Sequence, residues 1–328
     1  MDIFLTYDYE LFFGHPTGTV EKCILEPTEK LREIAQKTGV KMVFFIDTGY
    51  LKKLQKFAPE HQKVAKELQA VTSQIQQLVQ DGHDCQLHIH PHWEDCSHDG
   101  NNWKMVTDRY KLTDFSDSEI EEIVLNHKKI LEAMTGKKVT AFRAGGWCLQ
   151  PFDRIRPSFE KAGIKLDSTV FPGGKFTAGN YFYDFTHTVN KSKWRFSNDL
   201  TKEDPQGRFW EYPIANYHYT PLFFWRLFML GRINPKDHKP MGDGYPMSSP
   251  GLRKKMLSQG MNLCASVDGY FVTKLDKILE RRTAKGFNEM VILGHPKACT
   301  LFALEELEDF IRRHKNIHRF KTFAELDL

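Results

Sequence analysis

Short apolar runs alternate with longer amphipathic stretches along most of the chain. The apolar run at residues 3–7 predicts a buried strand. Residues 60–80 carry apolar side chains at spacings of three and four, which predicts an amphipathic helix that Gly82 ends. Strands and helices in alternation predict an α/β fold with a parallel sheet covered by helices, either a barrel or an open sheet. The predicted strands lie at residues 3–7, 40–46, 84–88, 139–142, 164–171, 262–267 and 289–293.

The alternation is interrupted between residues 175 and 260, where aromatic residues, proline and glycine are frequent. We interpret this region as strands and long loops inserted into one domain that spans residues 1–328. Within it, residues 221–230 form an apolar run that is shorter than the ~20 residues needed to cross a bilayer. The run predicts a packed helix. The alternatives are a lid, a dimer contact or a peripheral contact with a membrane that carries a lipid-linked glycan.

Composition excludes several classes of protein. The chain has 328 residues, of which 41% are hydrophobic, and a net charge of +4 from 46 basic and 42 acidic residues. This balance, without a basic run interleaved with aromatic residues, argues against nucleic-acid binding. The six cysteines include no Cys-x-x-Cys pair, which argues against a thiolate zinc site and favours reduced thiols. Because neither a signal peptide nor an apolar run of transmembrane length is evident, we expect a cytoplasmic protein.

Polar and charged residues follow directly after most of the predicted strands. In a parallel barrel, the carboxyl ends of the strands meet at one face, where active sites lie. Residues far apart in the sequence are therefore expected to converge there. Histidines elsewhere in the chain, such as His127, are expected at the surface or in loops. The strand-end residues are Asp8, Glu10, His88, Arg143, Asp167 and His295.

Residues 82–93 place three histidines at alternating positions, with a proline among them. Histidine is the commonest side-chain ligand of transition metals, and a buried cluster of histidines needs partners. On an unbroken strand, His88, His90 and His92 would share one face. Pro91 argues against a continuous strand, so we expect His88 and His92 to converge on one ion while His90 turns aside. A hydrogen-bonded loop without metal is the alternative.

Four stretches of the chain resemble, in the correct order, the motifs of the polysaccharide deacetylase family, whose shared domain is called the NodB homology domain. The second stretch is the most specific, because Gly82 and the histidines at 83, 88 and 92 reproduce the family spacing in full. Two positions depart from the family: Glu10 stands where most members have Asp, and Gly145 stands where a proline is usual. The four stretches are residues 5–10, 82–92, 142–147 and 293–296.

The resemblance implies a distorted (β/α) barrel with fewer than eight complete units. It also implies an enzyme that removes an acyl group, usually acetyl, from an N-acylated amino sugar. Carried over from the family, Glu10, His88 and His92 would hold a divalent metal, with zinc as the first choice. A site of two histidines and one carboxylate leaves coordination positions open for water and substrate, as hydrolysis requires.

The same resemblance assigns roles to four further residues. Asp8 would act as the general base and His295 as the general acid. Arg143 would orient Asp8. Asp167 would orient His295, in place of a family motif with paired Asp and Trp that is not evident in this sequence. Each well-placed acid or base typically accelerates a reaction by about 10²–10⁴-fold.

The expected substrate is an N-acylated sugar of a glycan or of a glycan precursor, for example in the assembly of a surface polysaccharide. Two alternatives remain open. One is an amidohydrolase that acts on another carbon–nitrogen amide, although in that superfamily the His-x-His pair follows the first strand and here it follows the third. The other is a carbohydrate-binding barrel without catalysis, against which the presence of Asp8 and His295 argues.

Overall fold

The computed structural model describes residues 1–247 and 251–327. Fifteen strands lie within these residues. They are β1 (Asp2–Tyr9), β2 (Val43–Asp47), β3 (Asp84–Ile89), β4 (Ser97–His98), β5 (Trp103–Lys104), β6 (Ala141–Ala144), β7 (Leu166–Asp167), β8 (Lys175–Ala178), β9 (Tyr181–Asp184), β10 (Trp194–Phe196), β11 (Phe209–Glu211), β12 (Asn216–Tyr219), β13 (Met261–Cys264), β14 (Glu289–Gly294) and β15 (Arg319–Phe320).

Ten α-helices occur in the same described ranges. They are α1 (Glu26–Thr38), α2 (Thr48–Phe57), α3 (Gln62–Gln80), α4 (Asp117–Thr135), α5 (Arg156–Ala162), α6 (Pro221–Ile233), α7 (Pro235–His238), α8 (Leu252–Gln259), α9 (Leu275–Ala284) and α10 (Leu301–His314). Short 3-10 helices follow several strands, and two of them matter for the site, at Pro91–Asp95 and Pro296–Ala298.

The largest sheet among the described residues has nine strands, in the order β10-β11-β7-β6-β3-β2-β1-β14, with β15 beside β1. Parallel pairing joins β1 to β14 and β15, β3 to β2 and β6, and β7 to β6 and β11. Only β10, at one edge, is antiparallel to its neighbour within this described set. Helices follow most of the parallel strands, so the predicted α/β class is confirmed.

The inner strands consist almost entirely of buried residues. All residues of β1, β2 and β3 are buried, as expected for parallel strands covered on both faces. The helix predicted at residues 60–80 is α3, whose buried residues follow the predicted spacing. Hydrophobic periodicity therefore locates these elements well.

The chain divides into two compact units, each of which has more contacts within itself than with the other. The first comprises Met1–Met42, Phe171–Gly174 and Ile214–Lys321, and the second comprises Val43–Val170, Lys175–Pro213 and Thr322–Leu328. The second unit contains β2, β3, β6 and β7. The first contains β1 and β14, together with the apolar run at 221–230.

The apolar run at residues 221–230 lies in helix α6, as the packed-helix interpretation predicts. Thr220 caps the helix by accepting a hydrogen bond from the backbone N–H of Phe223, and Pro221 occupies the first turn. Phe223 and Phe224 are buried against Tyr219. None of the helices in the described residues is long and apolar enough to cross a membrane.

Candidate functional site

Strand β1 carries the first two acidic residues of the site. Asp8 and Glu10 are two positions apart at its carboxyl end, and both are buried, at 5% exposure each. Strand β14 pairs in parallel with β1, with Tyr7 opposite Gly294, so the residue after Gly294 lies beside the acids. That residue is His295, whose Nε2 atom is 3.8 Å from Asp8 Oδ2 and 3.8 Å from Glu10 Oε1.

A third carboxylate fixes the imidazole of His295. Asp268 Oδ2 is 2.7 Å from His295 Nδ1, and Asp268 Oδ1 accepts a hydrogen bond from the backbone N–H of His295 at 2.8 Å. Burial alone would lower the pKa of His295. The carboxylates of Asp268, Asp8 and Glu10 together outweigh burial, with Asp268 contributing most, so the pKa of His295 lies above its ordinary value. His295 is therefore equipped to carry a proton.

Asp268 takes the position that the sequence analysis assigned to Asp167. The chain between β13 and Asp268 runs beside β14, with Ser266 bridged in parallel to Leu293, so Asp268 emerges next to His295. The signal for it was present in the sequence, because Asp268 directly follows the predicted strand at 262–267 and meets the same strand-end criterion as the other acids.

Lys297 is a site residue that the sequence analysis missed. It lies in the 3-10 helix Pro296–Ala298, and its Nζ atom donates hydrogen bonds to Glu10 Oε1 at 2.8 Å and to the carbonyl oxygen of Leu11 at 2.7 Å. The rings of Phe12 and Phe13 lie about 5 Å from the ammonium group, at 4.9 and 5.0 Å. Only 7% of Lys297 is exposed, so this ion pair holds the Glu10 carboxylate in one position with little screening by solvent.

The histidine run follows the strand geometry for two residues longer than predicted, through His90. Strand β3 ends at Ile89, but His90 still has extended dihedral angles, with φ −101° and ψ 95°. The residue before a proline is driven toward this conformation, so His88 and His90 stay on one face of the strand. The 3-10 helix that begins at Pro91 then turns the chain, and it carries His92 in another direction.

The structure therefore groups His90, and not His92, with His88. The ring centres of His88 and His90 are 4.8 Å apart, so the two imidazoles lie next to each other at the carboxyl end of β3. The ring of His92 instead stacks on Tyr110, with ring centres 5.4 Å apart and planes 3° from parallel. This placement corrects the expectation that His90 turns aside.

The surroundings of His88 and His90 suit metal ligands. His88 Nδ1 donates a hydrogen bond to the carbonyl oxygen of Arg143 at 2.8 Å, which places the lone pair of the neutral ring on Nε2. The ring of His90 passes so close to Gly145 that a Cβ atom on residue 145 would lie 2.5 Å from the imidazole. Glycine at this position therefore makes room for the His90 ring.

A buried polar chain supports the backbone of His88. The hydroxyl of Thr48 donates to the carbonyl oxygen of His88 at 3.0 Å and lies 3.0 Å from His127 Nδ1. His127 Nε2 is 2.9 Å from Glu94, which also binds Lys52. Burial would raise the pKa of Glu94, but His127 and Lys52 lower it to about 2. His127 is fully buried, so its expected place at the surface is wrong.

Arg143 and Asp167 belong to a second buried cluster. The guanidinium of Arg143 donates from Nε to the carbonyl oxygen of Ser168 at 2.8 Å and stacks 4.2 Å above the ring of Phe45. Asp167 accepts hydrogen bonds from the backbone N–H and hydroxyl of Thr169, at 3.1 and 2.7 Å. Ser168 and Thr169, which follow Asp167 directly, are therefore partners of Arg143 and Asp167. The proposed orientation of Asp8 by Arg143 stays a prediction.

Glu211 completes this second cluster. It lies on β11 directly opposite Asp167 in parallel register, and its Oε1 atom accepts a hydrogen bond from the backbone N–H of Val170 at 3.1 Å. Burial raises the pKa values of both, and the neighbouring Asp167 raises that of Glu211 further. Two neighbouring buried carboxyl groups disfavour ionisation of both at once, so this cluster favours a protonated form of Glu211.

Comparison with known families identifies one match. Residues 3–165 match the family model described as polysaccharide deacetylase. The match covers β1, the histidine run and Arg143, and it confirms the predicted fold, a distorted (β/α) barrel of the NodB type. A search of curated proteins found no match.

Several solved structures resemble the chain. A protein from Mycobacterium smegmatis assigned to the polysaccharide deacetylases is 14% identical, covers 99% of this chain and 94% of its own, and has a TM-score of 0.49. A family 4 carbohydrate esterase from Streptomyces lividans in complex with acetate is 14% identical over 51% of this chain and 61% of its own, with a TM-score of 0.30. A CE4 family pseudoenzyme from Bacillus anthracis is 13% identical over 96% and 60%, with a TM-score of 0.40.

Proposed function

We propose that this chain, whose residues 3–165 match the polysaccharide deacetylase family model, is a metal-dependent hydrolase that removes an N-acetyl group from an amino sugar. The sugar is part of a glycan or of a glycan precursor, with the assembly of a surface polysaccharide as the biological setting. The observation that carries the proposal is that Glu10, His88 and His90 are residues that could hold a metal ion, while His295 lies 3.8 Å from both Asp8 and Glu10.

The donor set fits a divalent metal. One carboxylate and two imidazoles are the ligands that zinc accepts in catalytic sites, and three protein ligands leave room for water and substrate. The Nδ1–H of His88 is already committed to the carbonyl oxygen of Arg143, so its Nε2 presents a lone pair. A bound metal would lower the pKa of a water molecule to about 7 and polarise the substrate carbonyl.

The chain itself supplies the proton transfers. The carboxylate of Asp8 accepts the proton of the attacking water, since it lies at the end of β1 on the same side as Glu10. The amine of the sugar leaves only when it is protonated. His295 Nε2 delivers that proton, because Asp268 holds Nδ1 and keeps the pKa of the imidazole above its ordinary value.

Lys297 compensates for the unusual ligand Glu10. The extra methylene of Glu, relative to the Asp that most family members have, gives the carboxylate more freedom. Lys297 removes that freedom by binding Oε1 at 2.8 Å, and Lys297 is itself held by the carbonyl oxygen of Leu11. We expect this contact to set the direction in which Glu10 presents its second oxygen to the metal.

Metal analysis combined with acetate release tests the proposal. The purified protein is stripped with a chelator, reloaded with zinc, manganese or cobalt, and incubated with N-acetylglucosamine oligomers and with nucleotide- and lipid-linked N-acetyl sugars. We expect one metal per chain and release of acetate that depends on it. His88→Ala should lose both the metal and the activity, whereas His187→Ala, at an exposed position, should keep both.

Two outcomes would overturn the proposal. Stoichiometric metal with no acetate released from any substrate would indicate a glycan-binding protein without catalysis. Acetate release that persists in the stripped protein and in His88→Ala would indicate a hydrolase whose site lies elsewhere.

A further inference from the structure

Exposed apolar side chains are concentrated in one segment of the chain. Of the eight large hydrophobic residues that are exposed among the described residues, six lie between residues 222 and 247. Isolated exposed apolar residues are common on protein surfaces, but a contiguous group indicates an interaction site. The six are Leu222 (61% exposed), Trp225 (52%), Met229 (51%), Ile233 (73%), Tyr245 (62%) and Met247 (44%).

Four of these residues form a stripe along helix α6, which we call the α6 stripe: Leu222, Trp225, Met229 and Ile233. Their spacings of three, four and four place them on one face of the helix. The opposite face is anchored, because Phe223 and Phe224 pack with Tyr219, Tyr270 and Phe271. The stripe is therefore held outward by a well-packed helix.

Trp225 shows how the stripe is presented. Its indole Nε1 donates to the carbonyl oxygen of Leu257 on helix α8 at 3.2 Å, while half of the side chain stays exposed. An indole that is hydrogen-bonded at one edge and open at the other suits the boundary between water and an apolar phase. Helix α8 is thereby fixed beside α6, and its Arg253 guanidinium lies 4.7 Å from the ring of Phe228 on α6.

The charge of the protein is concentrated in the same segment. Residues 221–259 contain seven basic and two acidic residues, whereas the rest of the chain contains 39 basic and 40 acidic residues. The whole net positive charge thus comes from this segment. Within the described part of the chain, none of the seven basic residues forms an ion pair with an acidic side chain, and all are exposed. They are Arg226, Arg232, Lys236, Lys239, Arg253, Lys254 and Lys255.

The two acidic residues of the segment are engaged elsewhere. Asp237 accepts a hydrogen bond from the side chain of Asn234, and Asp243 accepts hydrogen bonds from the backbone N–H and hydroxyl of Thr19. On the helical wheel, Arg226 and Arg232 flank the α6 stripe on its two sides. The surface therefore consists of an apolar stripe bordered by cationic groups.

We propose that the α6 stripe and the basic residues of α6–α8 form a docking surface for a membrane rich in anionic lipids. The stripe enters the boundary between headgroups and acyl chains, and the arginines and lysines bind the phosphates beside it. Helix α6 has 13 residues, so it lies on the bilayer and does not cross it. The excess of unpaired positive charge around the stripe favours a lipid surface over a second copy of the chain, which carries the same charge.

The chain that follows the docking surface is hydrogen-bonded to the segment just after His295. After helix α7 the chain runs along the 3-10 helix Pro296–Ala298: the backbone N–H of Met241 donates to the carbonyl oxygen of Cys299, and that of Gly242 donates to the carbonyl oxygen of Lys297. Attachment of α6 to a bilayer would therefore hold the loop that carries Lys297 close to the membrane.

Vesicle flotation tests the proposal with the full-length protein. Vesicles of phosphatidylcholine alone are compared with vesicles that also contain phosphatidylglycerol, at low and high salt. We expect binding only to the anionic vesicles, with weakening at high salt. Trp225→Ser combined with Met229→Ser, and separately Lys254→Glu combined with Lys255→Glu, should each weaken binding by about tenfold or more.

Matched variants separate this surface from general effects. Lys202→Glu combined with Arg208→Glu makes the same charge change at side chains that are 78% exposed, and Ile317→Ser removes an exposed apolar residue outside the segment. Neither should change vesicle binding. The proposal is overturned if the protein does not float with anionic vesicles, or if the test variants and the matched variants behave alike. It is also overturned if light scattering shows a dimer that the Trp225 variant dissociates, because the stripe would then bind a second copy.

Discussion

The two buried carboxylate clusters of this molecule differ in how their charge is balanced. Around His295, the carboxylates of Asp8, Glu10 and Asp268 face two cationic side chains, and part of His295 and of Asp268 is exposed, at 17% and 21%. In the other cluster, Asp167 and Glu211 face each other with Arg143 nearby, and all three are almost fully buried.

The comparison shows that carboxylates at strand ends are not equivalent. In the first cluster, each acid has a cation or a ring nitrogen within reach, and solvent can exchange protons with the imidazole. In the second, the two carboxyl groups are buried on paired strands and burial raises the pKa of both, so the cluster is suited to holding β7 and β11 together. Solvent access and the identity of the nearest neighbour therefore distinguish a catalytic role from a structural one.

Removing the base of the first cluster should have the largest effect. Asp8→Asn keeps the shape of the side chain but cannot accept the proton of water at neutral pH. We expect the rate of acetate release to fall by about 10³–10⁴-fold, with the metal content unchanged. Normal activity with normal metal content would refute the assignment of Asp8 as the base.

Replacing each of two neighbouring histidines would show which one binds the metal. His90→Ala should weaken metal binding by more than the roughly 10–100-fold that follows loss of an outer-shell partner. His92→Phe, which can keep the stacking on Tyr110, should retain stoichiometric metal. Titration of the stripped variants with zinc gives both affinities. Loss of metal in His92→Phe with retention in His90→Ala would restore the ligand set expected from the sequence.

Replacing Asp268 in the first cluster and Asp167 in the second by asparagine tests which of the two acids controls the pH dependence of activity. As the proposed general acid, His295 would work while it is protonated, so we expect activity to be lost as the pH rises through its raised pKa. Asp268→Asn removes the main cause of that increase. We expect kcat to fall by about 10–100-fold and the alkaline limb of the pH profile to move to lower pH. Asp167→Asn should leave that limb in place, whatever its effect on stability. A shift with Asp167→Asn alone would assign the orienting role to Asp167.

The smallest effect is expected from the closed cluster, on stability. Folding raises the pKa of Glu211 above its usual value of 4.5. Such a carboxyl group stabilises the folded state fully at pH values below its pKa in the unfolded chain. This stabilisation is lost as the pH rises toward its pKa in the folded protein. Glu211→Gln imitates the protonated form, so at pH 8 it should be more stable than the parent by on the order of 1 kcal/mol. Thermal unfolding at pH 4 and pH 8 measures this, with the exposed Glu21→Gln as the control. A variant less stable than the parent at pH 8 would show that Glu211 is ionised in the folded protein.

Much of the fold follows from the sequence because hydrophobic periodicity depends on local geometry. The strands at 3–7, 84–88 and 289–293 and the helix at 60–80 were located within a few residues. Region 175–260 could be described only as strands and long loops. Its pairings, such as β11 with β7, join distant segments, and no local pattern records the partner of a strand.

The site was only partly predictable for the same reason. Asp8, Glu10 and His295 follow strands, and parallel pairing brings them together. Whether His90 or His92 lies on the same face as His88 depends on the backbone conformation of His90, directly before Pro91. The spacing of the histidines agrees with either possibility. Lys297 reaches Glu10 through the course of a 3-10 helix, which the sequence pattern does not specify.

The close approach of Gly145 to His90 has an evolutionary consequence. A proline at position 145, which is usual in the family, would place its Cβ atom 2.5 Å from the imidazole, closer than two non-bonded atoms can pack. Positions 90 and 145 therefore constrain each other. A change of Gly145 to proline would be tolerated only if the side chain of His90 moved away from residue 145. Substitutions at positions 90 and 145 should therefore show strong epistasis. In a homologue, glycine at the position of Gly145 would predict that the histidine equivalent to His90 is the proposed metal ligand.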